Sequence, residues 1–134
     1  MYRAVLLQLI AVIALTIADE NLEGGFRDVP IDDEIRGMVD RAMVKVNQMR
    51  NGIFYVAPVN ILSAKEQVVA GTRTVITFEF QETSCTTRDM APTEVTARNC
   101  PVNNNGMKEK ITVAVWSKPW ESFEEISIVP RTIE

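Results

Sequence analysis

The chain has 134 residues, 46% of them hydrophobic, enough for one domain around a single core and too few for two. A net charge of -4, with Lys and Arg scattered along the chain, leaves no basic stripe to neutralise phosphates and excludes nucleic acid as a partner. Histidine is absent altogether, and with it the side chain most used for acid/base work near neutral pH and the commonest metal ligand. No cofactor or metal is called for.

Arg3 gives a positive start, Ala4 to Ile17 form an apolar run broken by Gln8 and Thr16, and Thr16-Ile17-Ala18 puts small residues at the cleavage positions. This predicts a signal peptide over residues 1–18, since a run of about 14 residues falls short of the roughly 20 needed to cross a bilayer. Secretion follows, with no membrane attachment once the leader is gone. The two cysteines, Cys85 and Cys100, then meet an oxidising compartment, and an even count in a small domain predicts one disulfide. It would close a loop of about 16 residues, worth roughly 3 kcal/mol in the chain-entropy model. Without a histidine to act as base, neither thiol suits catalysis. Asn-x-Ser/Thr sequons are absent, so N-linked glycans are not expected.

Residues 19–134 read as a single domain led by a flexible arm over 19–30, which carries Asp19, Glu20, Glu23 and Asp28 and the pair Gly24-Gly25 with little hydrophobic periodicity. From Ile31 the apolar residues Ile31, Ile35, Met38, Val39, Ala42, Met43, Val46 and Met49 recur at three- and four-residue spacing, one stripe of an amphipathic helix. Pro30 near its start, acids at 32–34 in the first turn and Asn51-Gly52 at its end are the matching start and stop signals. At this spacing its methionines read as core filler.

Beyond Gly52 the period changes. Strands are predicted over Ile53–Val69 and Thr72–Thr83, the second with Thr74, Ile76, Phe78 and Phe80 alternating against Arg73, Val75, Thr77 and Glu79, and with Gly71 as the turn residue between them. Pro58 inside the first marks an edge position, a bulge or a kink. Two more strands follow the cysteine loop, Lys108–Trp116 and Phe123–Val129, joined through Ser117–Ser122 with Pro119-Trp120 inside. One helix and four hairpin-linked strands imply an α+β fold in which a curved antiparallel sheet wraps around one long helix.

Three features are costly to leave on a surface: the Gly24-Gly25 arm, the tip Gln67-Val68-Val69-Ala70-Gly71, and Trp120 after Pro119. Each alone has a structural reading, as terminal punctuation, a valine turn folded back on the core, or an indole capping a core edge. Together they resemble the motifs of the secreted type 2 cystatins, with nematode cystatins most similar, over almost the whole of residues 19–134. The resemblance implies a cystatin-like fold, no enzymatic activity, and inhibition of papain-like cysteine proteases (cathepsins) by a monomer. In that family a glycine near the N-terminus, a Gln-x-Val-x-Gly hairpin and a Pro-Trp hairpin form a wedge that fills the protease cleft. The corresponding residues here are Gly24 and Gly25, Gln67 to Gly71, and Pro119 and Trp120, with Leu22 and Glu23 reaching the substrate-side pockets. Glu23 departs from the apolar residue usual there, and desolvating a carboxylate is expensive.

Type 2 members usually carry two disulfides. Only the first is matched, by Cys85 and Cys100, while Ile111 and the region near Arg131 occupy the places of the second. Some secreted cystatins also inhibit legumain through an Asn in a Ser-Asn-Asp turn after the helix. The matching stretch, Arg50-Asn51-Gly52, keeps the Asn but is equally a generic helix stop. The alternative to inhibition is a non-inhibitory binding or immunomodulatory module on the same fold.

Overall fold

The computed structural model describes residues 25–96 and 98–130, and the expected signal peptide therefore lies outside the described residues. A helix α1 (Asp33–Met49) is followed by four long or medium strands, β2 (Phe54–Val69), β3 (Gly71–Thr86), β4 (Lys108–Lys118) and β5 (Phe123–Ile128). Ahead of the helix comes a short strand, β1 (Phe26–Asp28). All five form one antiparallel sheet in the order β1-β2-β3-β4-β5, so every strand lies beside its sequence neighbour.

The helix begins where its cap dictates. Asp32 accepts a hydrogen bond from the Ile35 N–H at 3.1 Å, and Asp33 and Glu34 follow in the first turn, where the helix dipole favours acids. The stripe from Ile35 to Val46 is buried against Val56, Ala64, Ile76, Phe78, Phe80, Val113 and Val115 of the sheet. Its two outermost predicted members do not join it: Ile31 lies before the cap, Met49 at the fraying end, and they are 37% and 60% exposed.

Asn47, by contrast, is buried although it is polar. Its Nδ2 donates to the Val56 carbonyl at 3.0 Å and its Oδ1 accepts from the Val56 N–H at 2.9 Å. The reason lies in the sheet. β1 pairs only with Lys65 to Gln67, so the first part of β2, paired with β3 on one side, is on its other side an edge with no neighbouring strand among the described residues. Asn47 supplies one residue's worth of that missing ladder. Pro58 stands on the same edge at a register shift between Pro58 and Asn60, one of three irregularities that bend β2 around the helix.

β1 differs from the expected arm. Residues 26–28 carry no alternation that marks a strand, and they are held by backbone pairing to β2 and by an Arg27–Glu66 ion pair at 2.7 Å. At the opposite edge, Arg41 on α1 grips Glu124 on β5 through two hydrogen bonds of 2.8 and 3.0 Å, and the Lys45 ammonium donates to the Ile126 carbonyl. A second small cluster surrounds the Cys85–Cys100 disulfide, with Tyr55 buried against it and donating its hydroxyl to the Met90 carbonyl at 2.6 Å.

Candidate functional site

β2 and β3 meet in a tight turn in which Val69 pairs with Gly71 and Ala70 alone stands between them. Gly71 has φ +91°, a conformation that side chains with a Cβ rarely adopt. There is no room for one either: a Cβ at Gly71 would run into the Ser117 carbonyl and the Lys118 side chain. The first tip thus lies flat against the strand leading into the second loop, an approach only glycine permits.

That second loop is a single 3-10 turn, Pro119–Glu121, between the last β4–β5 pair, Lys118 with Phe123. Ser122 closes it with φ 50°, its N–H donating to the Pro119 carbonyl at 3.1 Å. Around its base Trp116 meets Phe123 edge to face, with ring centroids 5.2 Å apart. The Lys118 ammonium sits 4.7 Å from the Trp116 ring and 4.6 Å from the Phe123 ring, and 3.2 Å from the Glu121 carboxylate. Trp116 then reaches across to the other tip, its indole N–H donating to the Ala70 carbonyl at 2.8 Å. The two tips are joined by that bond as well as by the sheet.

β1 brings in a third segment. Phe26 pairs with Gln67, so Gly25 just before it stands at the level of the first tip. Gly25, Gln67 to Gly71 and Pro119-Trp120 accordingly lie in a row at one end of the sheet. Trp120 is 68% and Val68 62% exposed, a large indole and a valine facing solvent on a framework that does not need them for its core. Val69 and Phe26 are partly exposed beside them. Leu22, Glu23 and Gly24 lie outside the described residues.

Three contributors escape a reading of the sequence: Phe26, Trp116 and Lys118. Phe26 follows a glycine pair without periodicity. Trp116 reads as an ordinary strand residue, although a second indole four residues before Trp120 is a signal that the two divide labour. Asn51, the candidate for a separate site, is exposed in the link between α1 and β2. It stands at the far end of β2 from the first tip, about 50 Å of strand contour away at roughly 3.3 Å per residue.

The Cystatin domain family model matches residues 24–120. The chain belongs to the cystatin family. Among curated cystatins it is 35% identical to Cystatin cpi-1 of Caenorhabditis elegans over 105 residues, 78% of this chain and 75% of that protein. It is 29% identical to Cystatin cpi-2 of Brugia malayi over 113 residues, 84% of this chain and 69% of the other. Among solved structures, Al-CPI matches with a TM-score of 0.69 and 42% identity, over 78% of this chain and 94% of that one. Dimeric human cystatin F, at 19% identity and a TM-score of 0.65 over 78% of this chain and 82% of that one, shares the fold. Cystatins inhibit cysteine proteases in general and are not enzymes. Both of its cysteines are tied in the disulfide. No helix among the described residues is long and apolar enough to cross a membrane.

Proposed function

We propose that this cystatin is a secreted, reversible, tight-binding inhibitor of papain-like cysteine proteases of the cathepsin type, acting as a monomer that closes the active-site cleft with the edge formed by its arm and two tips. The observation that carries the reading is the side-by-side placement of the two tips with the Trp120 indole exposed at the end of one of them. A papain-like cleft accepts an extended peptide. The Val69–Gly71 turn and the Pro119–Glu121 turn are both closed by their own backbone pairing, so neither offers the thiolate an extended scissile bond. Occlusion without turnover is what such an edge can do.

The energy is of the right size. An indole buries about 150 to 250 Å² on docking, and two thirds of that at about 25 cal/mol per Å² is on the order of 3 to 4 kcal/mol before ordering costs. Trp120 is therefore the anchor, with Val68 and Val69 adding compact apolar area at little entropic cost and Gln67 and Ala70 framing them. Leu22, Glu23, Gly24 and Gly25 contribute the arm, in which Glu23 limits the gain from the substrate-side pockets.

Titration of active papain and of a lysosomal cathepsin with the purified protein tests the reading. The expected result is stoichiometric loss of activity, recovered on dilution, with the inhibitor left uncleaved. Trp120→Ala is expected to weaken inhibition by about 2 to 4 kcal/mol, roughly 30- to 1000-fold, at unchanged thermal stability. Deletion through Glu23 should cost less. Absence of inhibition at micromolar protein refutes the proposal and leaves the non-inhibitory binding or immunomodulatory module. Legumain is a second proposed target, through the exposed Asn51, and Asn51→Ala is expected to abolish that inhibition while leaving papain inhibition intact.

A further inference from the structure

The sequence contains two Asn-Gly pairs, Asn51-Gly52 and Asn105-Gly106. Their chemistry is the same, because glycine leaves the following backbone nitrogen unshielded and free to take the angles that ring closure needs. Their surroundings are opposite. Gly106 donates its N–H to the Asn103 carbonyl at 2.9 Å, the Asn105 N–H is tied to the Asn103 side chain at 3.1 Å, and a Cβ at Gly106 would lie 2.9 Å from that of Glu82. The second pair is locked in a packed turn.

The first is not. Asn51 and Gly52 are both exposed and belong to no helix or strand. Neither the Asn51 side chain nor the Gly52 N–H has a hydrogen-bond partner among the described residues. A Cβ built at Gly52 would meet only the Phe54 carbonyl at 3.6 Å and the Arg50 guanidinium at 3.8 Å, ordinary contact distances, so this link has room to move.

We propose that Asn51 is a site of spontaneous covalent conversion, in which the folded protein loses this side-chain amide selectively. The Gly52 nitrogen gives up its proton to solvent and attacks Cγ of Asn51. A Cγ–N bond forms, the Cγ–Nδ2 bond breaks, and the leaving nitrogen takes a proton back from solvent to depart as ammonia, which leaves a five-membered succinimide. Water then adds to either ring carbonyl and breaks one of the two ring C–N bonds, giving aspartate or isoaspartate. No oxidant or reductant takes part. The product carries a new negative charge beside the C-terminal end of α1, which the helix dipole disfavours. It lies at the opposite end of the molecule from the tips, so aged protein keeps its action on papain. The conversion does not rest on the legumain reading, but where that reading holds it removes the residue on which inhibition of legumain depends.

The intact, disulfide-bonded protein is held at mildly alkaline pH, sampled over time, reduced and digested with trypsin. Cleavage after Arg50, Lys65, Arg98 and Lys108 puts the two pairs on different peptides, and fragment masses identify the converted residue. Asn51 is expected to convert roughly tenfold faster than Asn105 in the folded protein, with the two rates converging in the reduced chain unfolded in urea, where only the shared glycine chemistry remains. Gly52→Ala, which the available space admits, should slow Asn51 by roughly tenfold at unchanged stability. Equal rates at the two sites in the folded protein, or an Asn51 rate untouched by Gly52→Ala, overturn the proposal. So does an Asn51 that keeps its amide when folded and loses it when unfolded.

Discussion

Trp116→Phe isolates the bond between the tips. The substitution removes the indole N–H that reaches the Ala70 carbonyl at 2.8 Å, while a phenyl ring remains to face Phe123 and the Lys118 ammonium. A neutral hydrogen bond contributes about 0.5 to 1.5 kcal/mol net, and Ala70 is exposed, so water takes over its carbonyl. The folded domain should therefore lose no more than about 1 kcal/mol. Binding should lose more. Once released, the single-residue turn at Ala70 has to be ordered again when the protease closes on it, and fixing one residue's backbone costs about 1 to 2 kcal/mol. The expected outcome is a 5- to 30-fold rise in the inhibition constant for papain, on the order of 1 to 2 kcal/mol, with the urea midpoint shifted only slightly. The chain has two tryptophans, so this variant also leaves Trp120 as the lone indole, and its emission should be readily quenched by acrylamide. An inhibition constant equal to that of the wild type would falsify the view that the bond preorganises the tips.

Three further outcomes follow from the rest of the fold. Asn47→Ala leaves the buried N–H and C=O of Val56 unpaired and should cost about 2 to 4 kcal/mol in urea unfolding, at unchanged inhibition per folded molecule. Replacing Cys85 and Cys100 together by serine should cost roughly 3 kcal/mol of stability and loosen the cluster around Tyr55, yet spare protease binding, because the disulfide closes the end of β3 remote from Gly71. Glu79 has its pKa lowered, first by the hydrogen bond from Asn60 and then by Lys108 and Lys110, against some desolvation. A carboxylate depressed in the folded state stabilises it above the unfolded pKa of 4.5, and that contribution disappears as pH falls through the folded value. Glu79→Gln should flatten the stability profile on the acid side of 4.5, and a titration of unfolding against pH with the same acid slope in both proteins would contradict this.

What the sequence reveals and what it hides divide along the range of the interactions. The helix stripe from Ile35 to Val46 and the alternation of Thr74, Ile76, Phe78 and Phe80 are local periodicities, and each maps onto a buried face. Gly71 is legible for the same reason, a conformational demand met at one position. β1 is not, because three residues cannot display a period and its place is set by backbone pairing with residues about 40 positions later. Asn47 also defeats pattern reading. A polar residue beside an apolar stripe suggests solvent, and only the missing neighbour of the β2 edge turns its amide inward. The Trp116–Ala70 bond spans 46 residues and links a side chain to a backbone carbonyl, an interaction with no signature in residue types at all.

Tip geometry and core stability have separate sources in this molecule. The tips draw their geometry from backbone turns, one glycine contact and one indole bond, whereas the core draws its stability from α1 against the inner face of the sheet and from the disulfide cluster at the far end. Exposed residues such as Val68 and Trp120 contribute little to that core, so they can be exchanged at small cost in stability, typically within about 0.5 kcal/mol for surface sites. Gly71 cannot, because any Cβ there displaces Ser117 and with it the entry to the second loop. Retuning of this edge toward a different protease therefore runs through Val68, Val69, Trp120 and the arm, with Gly71 and Trp116 held fixed as the joint on which all of them turn.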